Sequence, residues 1–146
     1  MREAAIVSTA RTGIGKAYRG YFNATEAPVL AGHVMNAAVE RAGIAPARID
    51  DVFWGVGGQW GTQGGNLARM AVFAGGLPHS VPGFSLDRKC GSGLTAAALA
   101  ARSIIAGDID VALAGGSESI SLTVNKDMPR YANQSVLANE PPPISR

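Results

Sequence analysis

The residue best suited to covalent chemistry is Cys90, the single cysteine of the 146-residue chain. It lies between a short apolar run that ends at Leu86 and an alanine-rich run that begins near Gly91. A strand followed by a helix would place the thiol at a helix N-terminus, where partial positive charge and free N–H groups favour a thiolate. Arg88 and Lys89 add cationic charge beside it. The pattern indicates a nucleophile.

The reaction that suits such a cysteine is acyl transfer. A thiolate attacks an acyl carbon, and nearby backbone N–H groups, that of Cys90 included, can stabilise the oxyanion that forms. Gly91 and Gly93 carry no side chains, so a ligand can approach the backbone closely there. The alternative is a buried structural cysteine with no chemical role. On these residues alone, both interpretations stay open.

Other motifs give weaker signals. The run at residues 55–61 is similar to a dinucleotide-binding loop after a strand, but Trp60 occupies the third glycine position. His33 falls in a predicted helix and His79 in a loop between prolines, so both are expected to be structural or surface residues. Two separated histidines and one cysteine lack the spacing of zinc ligands, so no metal site is expected.

The elements that would position Cys90 alternate between strand and helix. Apolar runs predict strands at residues 4–9, 51–56, 82–86 and 110–114. Periodicity and capping residues predict helices after Thr25, after Asn66 and across residues 91–106, with Gly43 ending the first of them. This alternation indicates an α/β fold with a mainly parallel sheet and helices on both faces.

The predicted helix after Cys90 is apolar around its whole circumference. Its apolar residues are Leu94, Ala96, Ala97, Ala98, Leu99, Ala100, Ala101, Ile104 and Ile105. A helix of this kind is buried on all sides, so a second sheet layer or another subunit is expected to cover it. Four aromatic residues are also assigned to the core, namely Phe53, Trp54, Trp60 and Phe73.

Composition narrows the class of protein. With 47% hydrophobic and 16% charged residues, the chain is not of the disordered type, and its length suits one domain. The net charge of +2 is scattered without a basic stripe, which argues against a nucleic-acid partner. One cysteine allows no intrachain disulfide, and neither a signal peptide nor a membrane span is evident. A cytoplasmic protein without a membrane partner is expected.

Four segments of the chain resemble, in order and spacing, the thiolase family. Residues 88–94 (Arg-Lys-Cys-Gly-Ser-Gly-Leu), followed by the alanine-rich run and by residues 107–121, resemble its nucleophile signature. Residues 11–15 resemble its first loop, and residues 65–69 resemble the segment that opens its second helix. The chain departs from the family pattern where Gly13 and Leu67 replace prolines and Asp87 replaces an asparagine.

The resemblance implies an acyltransferase in which Cys90 carries an acyl thioester. The reaction would be thiolytic cleavage of a 3-ketoacyl-CoA, or the reverse Claisen condensation of acyl-CoA molecules. Coenzyme A and acyl-CoA are then substrates, and no bound cofactor is implied. A carboxylate at Asp87 would oppose thiolate formation at Cys90, because it adds a negative charge nearby.

The resemblance also implies an N-terminal half of a layered α-β-α fold, truncated before the second half. Residues 1–121 would form a half-domain with the nucleophile loop, and residues 122–146 the start of a loop domain. The family's Gly-His-Pro histidine and second cysteine match no residue here, so the chain alone is expected to be inactive. The complete enzyme would be a homodimer or homotetramer.

Two other functions remain as alternatives. The first is a non-catalytic thiolase-like subunit that binds acyl-CoA or serves as a scaffold. The second is a condensing enzyme of the ketoacyl-synthase type, which is disfavoured because the run Cys90-Gly91-Ser92-Gly93 matches the thiolase form of the nucleophile loop.

Overall fold

A computed structural model of the chain describes residues 2–124. Three strands are present in this range: β1 (Asp51–Gly55), β2 (Phe84–Leu86) and β3 (Ala112–Gly116). Four α-helices accompany them: α1 (Ala27–Ala42), α2 (Leu67–Ala74), α3 (Ser92–Ala106) and α4 (Ile120–Thr123). Short 3-10 helices occupy Pro46–Arg48 and Gly61–Gln63. Residues 125–146, most of the predicted loop domain, lie outside the described residues.

The three strands form a parallel sheet in the order β2-β1-β3. Gly55 at the end of β1 pairs with Leu86 of β2 on one side and with Gly116 of β3 on the other. The strands therefore end in register, and the loops that follow them meet at one edge of the sheet. Cys90 lies in one of these loops, where open α/β sheets commonly bind ligands.

Helices cover both faces of the sheet. The larger core cluster joins α1 and α2 to Val52 and Trp54 of β1, and the smaller one joins α3 to Phe53. Side chains of a strand alternate between faces, which is why neighbouring residues of β1 serve different clusters. The predicted layered α/β fold with a parallel sheet is confirmed. None of the helices in residues 2–124 is long and apolar enough to cross a bilayer.

Local signals set most of the helix ends. Gly43 ends α1 with a φ of 65°, and the Asn66 side chain caps α2 by accepting the N–H of Arg69 at 3.4 Å, both as predicted. The predicted cap by Thr25 is wrong, because Glu26 is the N-cap of α1 and forms no side-chain cap. The hydroxyl of Thr62 instead accepts the N–H of Ala27 at 3.4 Å, so a distant residue supplies the cap.

The predicted strand at residues 4–9 is wrong for the described chain. Ile6 and Val7 are 86% and 77% exposed, and no strand includes them. The segment is held near its ends, where Arg2 pairs with Asp110 and Thr9 accepts a hydrogen bond from Arg41. An apolar segment becomes a strand only where a neighbouring strand forms hydrogen bonds with it and other residues cover its side chains. Residues 2–124 provide neither for residues 4–9.

Two other strands are displaced from their predicted bounds. β2 begins at Phe84, because Pro82 has no N–H to donate to a ladder. β3 begins at Ala112, two residues late, because the Asp50 carboxylate takes the N–H groups of Asp110 and Val111, each at 2.8 Å. Those bonds, first the one from Val111 and then the one from Asp110, lower the pKa of Asp50.

Burial of the aromatic residues and of α3 differs from expectation. Phe53 and Trp54 are in the core, but Trp60 and Phe73 are each 40% exposed, so their core assignment is wrong. In α3 only Ser92, Ala96 and Ala100 are buried. The sheet covers one face of this helix, and nothing in residues 2–124 covers its outer face, where Leu94 is 80% exposed.

Candidate active site

Cys90 occupies the turn between β2 and α3. Gly91 is the N-cap of α3, so Cys90 directly precedes it, and its thiol is exposed. Backbone N–H groups at the start of a helix lack partners within the helix and carry partial positive charge. The sequence placed Cys90 at such a helix start, and the structure agrees. Its exposure in the described residues argues against a buried structural role.

The turn that carries Cys90 is closed by short hydrogen bonds. The Ser92 hydroxyl accepts the N–H of Arg88 at 2.8 Å and donates to the carbonyl of Lys89 at 2.6 Å. The N–H of Gly91 donates to the carbonyl of Arg88 at 3.1 Å. Lys89 adopts a φ of 50°, in the left-handed region that non-glycine residues rarely occupy. Ser92, buried at the start of α3, therefore holds Arg88 and Lys89, the two residues that precede Cys90.

Close backbone contact seats the start of α3 on the sheet. A Cβ atom on Gly55 would lie 2.2 Å from the carbonyl carbon of Ser92, and one on Gly116 would lie 3.0 Å from Cα of Gly93. Side chains at these positions would push the helix away. Glycine at the paired ends of β1 and β3 thus brings the N-terminus of α3, and with it Cys90, to the sheet edge.

The charges beside Cys90 are partly compensated. The Lys89 ammonium forms an ion pair with the Asp87 carboxylate and donates to the Gly57 carbonyl at 3.1 Å. Asp87 also accepts the backbone N–H of Lys89 at 2.8 Å. The pKa of Asp87 is lowered mainly by the Lys89 side chain and secondly by this N–H. Asp87 is therefore ionised at neutral pH. Much of the positive charge of Lys89 is therefore balanced by Asp87.

Two residues that the sequence analysis missed connect the loop after β3 to the loop after β1. The Glu118 carboxylate accepts the N–H of Gly57 at 2.7 Å and the side-chain amide of Gln63 at 2.6 Å. Gln63 is completely buried and also donates to the Gly58 carbonyl at 2.5 Å. The sequence carried one signal for Gln63, namely its place in a glycine-rich loop. Such a loop offers few other side chains that could form hydrogen bonds with the glutamine amide.

The loop at residues 11–15 lies at the same end of the sheet. It lines a cleft of about 390 Å³ together with Trp54, Glu118 and neighbouring residues.

The two histidines lie away from this cleft. His33 is exposed on α1, and His79 packs edge-on against Phe73 at 5.1 Å. Within residues 2–124, His, Cys, Asp and Glu side chains form no group of three that could hold a metal ion.

Comparison with known proteins identifies the family. Residues 4–140 match the family described as "Thiolase, N-terminal domain". The chain belongs to the thiolase family. Among thiolases with curated names, it is 43% identical over 121 residues to an acetyl-CoA acetyltransferase of Cupriavidus necator, covering 83% of this chain and 30% of that relative. It is also 43% identical over 121 residues to a beta-ketoadipyl-CoA thiolase of Pseudomonas aeruginosa, covering 82% of this chain and 30% of that relative.

A solved thiolase structure supports the fold. The crystal structure of the Bacillus anthracis acetyl-CoA acetyltransferase superposes with a TM-score of 0.78 at 34% identity. The match covers 84% of this chain and 31% of that one. The described chain thus corresponds to the N-terminal part of the thiolase fold, and it spans about 30% of the length of the relatives it matches.

Proposed function

We propose that Cys90 is the acyl-accepting nucleophile of a thiolase that cleaves 3-ketoacyl-CoA or condenses acyl-CoA molecules. The observation that carries the proposal is the exposed Cys90 thiol directly before the N-cap of α3, at the edge where all three strands end. The names of the relatives support this substrate class, since they include acetyl-CoA acetyltransferase and 3-ketoacyl-CoA thiolase.

The proposed cleavage proceeds in two steps. The Cys90 thiolate attacks the ketone carbon of the 3-ketoacyl-CoA, and N–H groups at the start of α3 stabilise the oxyanion. The bond between C2 and C3 then breaks, leaving an acyl thioester on Sγ, and the departing acetyl-CoA enolate takes up a proton. In the second step, the thiol of free coenzyme A loses its proton, attacks the acyl carbon and releases the Cys90 thiolate.

The proton transfers require groups other than Cys90. The enolate needs a donor, and the thiol of coenzyme A needs a base. The chain has one cysteine, and neither His33 nor His79 stands in a Gly-His-Pro motif. We therefore expect residues 1–146 alone to lack turnover, and we expect the complete enzyme to act as a homodimer or homotetramer in the cytoplasm, with no resident cofactor.

Acylation of Cys90 is the direct test. The 146-residue chain and its Cys90→Ser variant, each supplied with a C-terminal thiolase half in trans, would be incubated with radiolabelled acetyl-CoA and then mapped by peptide digestion. Label on the Cys90 peptide of the wild-type chain alone is expected, together with alkylation by iodoacetamide that is faster than that of a free thiol at neutral pH. Label on another residue, with Cys90 unmodified, would refute the assignment.

The same assay separates the proposal from the non-catalytic alternative. A C-terminal thiolase half added in trans should restore acetoacetyl-CoA cleavage that depends on Cys90. Restored cleavage with Cys90→Ser in place, or binding of acyl-CoA without any acylation, would instead favour a scaffold or binding subunit.

A further inference from the structure

The loops after the three strands share one polar network, which reaches the residue next to Cys90. It comprises Gln63 and Gly57 after β1, Asp87 and Lys89 after β2, and Glu118 after β3. These five residues are called the Glu118 network below. Because its members come from three separate loops, the network can set how those loops sit relative to one another.

Gln63 anchors the network in the protein interior. Its side chain is completely buried, and its amide nitrogen donates to Glu118 at 2.6 Å and to the Gly58 carbonyl at 2.5 Å. Its amide oxygen accepts the N–H of Ser119. A buried amide with every partner in place has one orientation. It therefore holds the Glu118 carboxylate in one position, although Glu118 itself is exposed.

Gly57 transmits the position of Glu118 to Lys89. Its N–H donates to Glu118 at 2.7 Å, and its carbonyl accepts the Lys89 ammonium at 3.1 Å. A Cβ atom at Gly57 would lie 2.9 Å from the Glu118 carboxylate and 3.3 Å from the carbonyl oxygen of Lys89. Gly57 is thus packed between the two residues, so a shift of Glu118 displaces Lys89.

Lys89 needs such support because its backbone conformation is unfavourable. Its φ of 50° lies in the left-handed region, which non-glycine residues keep only where surrounding contacts impose it. Asp87 holds its N–H, Asp87 and Gly57 hold its ammonium, and Ser92 holds its carbonyl. Cys90 is the next residue, so this conformation determines where the thiol enters the start of α3.

We propose that Glu118 is a positioning residue that holds the turn of Cys90 through Gly57 and Lys89. The inference rests on the proposed function, since it gives Glu118 its purpose as support for an acyl-accepting thiol. Gly57 and Gln63 each bind one carboxylate oxygen of Glu118, and each loses its hydrogen-bond partner when that oxygen is removed. The turn at Lys89 then loosens, and the Cys90 thiol moves away from the N-terminus of α3.

The sign of the change in Cys90 alkylation separates positioning from simple electrostatics. Removing the negative charge of Glu118 would by itself favour a thiolate and move the alkylation profile to lower pH. Loss of positioning withdraws the thiol from the positive end of α3 and moves the profile to higher pH. Glu118→Gln is the first variant, because its amide has the same size but only one acceptor oxygen. Glu118→Ala is the second and should move the profile further.

The experiment measures iodoacetamide alkylation of Cys90 against pH in the 146-residue chain. We expect Glu118→Gln to slow alkylation at neutral pH by roughly threefold to tenfold, in the lower part of the range of couplings between residues in contact. Glu40→Gln on α1 is the matched control for charge, since α1 packs on the face of the sheet opposite α3. If the alkylation profile of Glu118→Gln equals that of Glu40→Gln, or moves to lower pH, the proposal is overturned.

A double-mutant cycle tests the route through Lys89. In a Lys89→Met background, where the contact to Gly57 is gone, Glu118→Gln should change the alkylation profile much less. Lys89 has a side chain that is 76% exposed, so its replacement should leave the fold intact. Equal effects of Glu118→Gln in both backgrounds would show that Glu118 and Lys89 act independently, and would refute the route through Lys89.

The positioning role of Glu118 and the proposed function of Cys90 can each fail without the other. If acetyl-CoA fails to label wild-type Cys90, the acyl-transfer proposal fails, while the alkylation profiles still report on positioning. If labelling succeeds but Glu118→Gln behaves like Glu40→Gln, only the positioning role is lost.

Discussion

The Asp87 carboxylate binds both the ammonium and the backbone N–H of Lys89, one residue before Cys90. Asp87 therefore does two things at once. It neutralises the cation that would otherwise favour a thiolate, and it holds Lys89 in its left-handed conformation. The two effects can be separated, because asparagine keeps a carbonyl oxygen for the N–H bond but has no charge.

Asp87→Asn should move the alkylation profile of Cys90 to lower pH. The change removes an anion and frees the Lys89 ammonium, and both effects favour the thiolate. Iodoacetamide rates measured from pH 5 to 10 would test it, with Asp108→Asn as the control, because Asp108 lies beyond the opposite end of α3. An unmoved profile, or one displaced to higher pH, would contradict the prediction.

Gly55→Ala should destabilise the chain and disturb Cys90. A Cβ atom there would lie 2.2 Å from the carbonyl carbon of Ser92, so the start of α3 must shift, at a cost of about 1–3 kcal/mol for overpacking. Urea unfolding and the alkylation rate would both report the change. Gly13→Ala is the matched control, since its Cβ would meet no atom within 4 Å, and an equal loss in both variants would count against the close contact.

The stability contributed by Asp50 should disappear in acid. Hydrogen bonds from the N–H groups of Val111 and Asp110 lower the pKa of Asp50, so the charged form is favoured in the folded state. Its contribution is present above the ordinary carboxyl pKa and is lost as the pH falls through the lower folded value. Wild type and Asp50→Asn should therefore differ in urea midpoint at pH 7 and converge as the pH falls through the lowered pKa of Asp50. A difference that persists unchanged in acid would contradict this.

The 146-residue chain should self-associate rather than behave as a monomer. Leu94 and Ile105 on the outer face of α3 are 80% and 47% exposed, and an apolar patch of this kind favours association. Light scattering should show a smaller species for a Leu94→Lys/Ile105→Lys variant than for wild type. Ile14→Lys, at an exposed position in the loop of residues 11–15, is the control and should leave the size unchanged. A monodisperse wild-type monomer would refute the prediction.

Features governed by neighbours in sequence could be predicted from the chain alone. Gly43 and Asn66 end and cap their helices through bonds made within a few residues, and Cys90 stands directly before Gly91, the N-cap of α3. The alternation of strand and helix is also local, and it was enough to predict the α/β fold. The motif around Cys90 was enough to indicate the family, which residues 4–140 match.

Features that depend on distant partners were decided only by the tertiary structure. Residues 4–9 have the composition of a strand but form none within residues 2–124, because a strand requires a neighbouring ladder. Thr62, not Thr25, supports the start of α1, and Trp60 is exposed although its type favours a core. Glu118 and Gln63 are 55 residues apart, and their bond exists only because parallel strands bring their loops to one edge of the sheet.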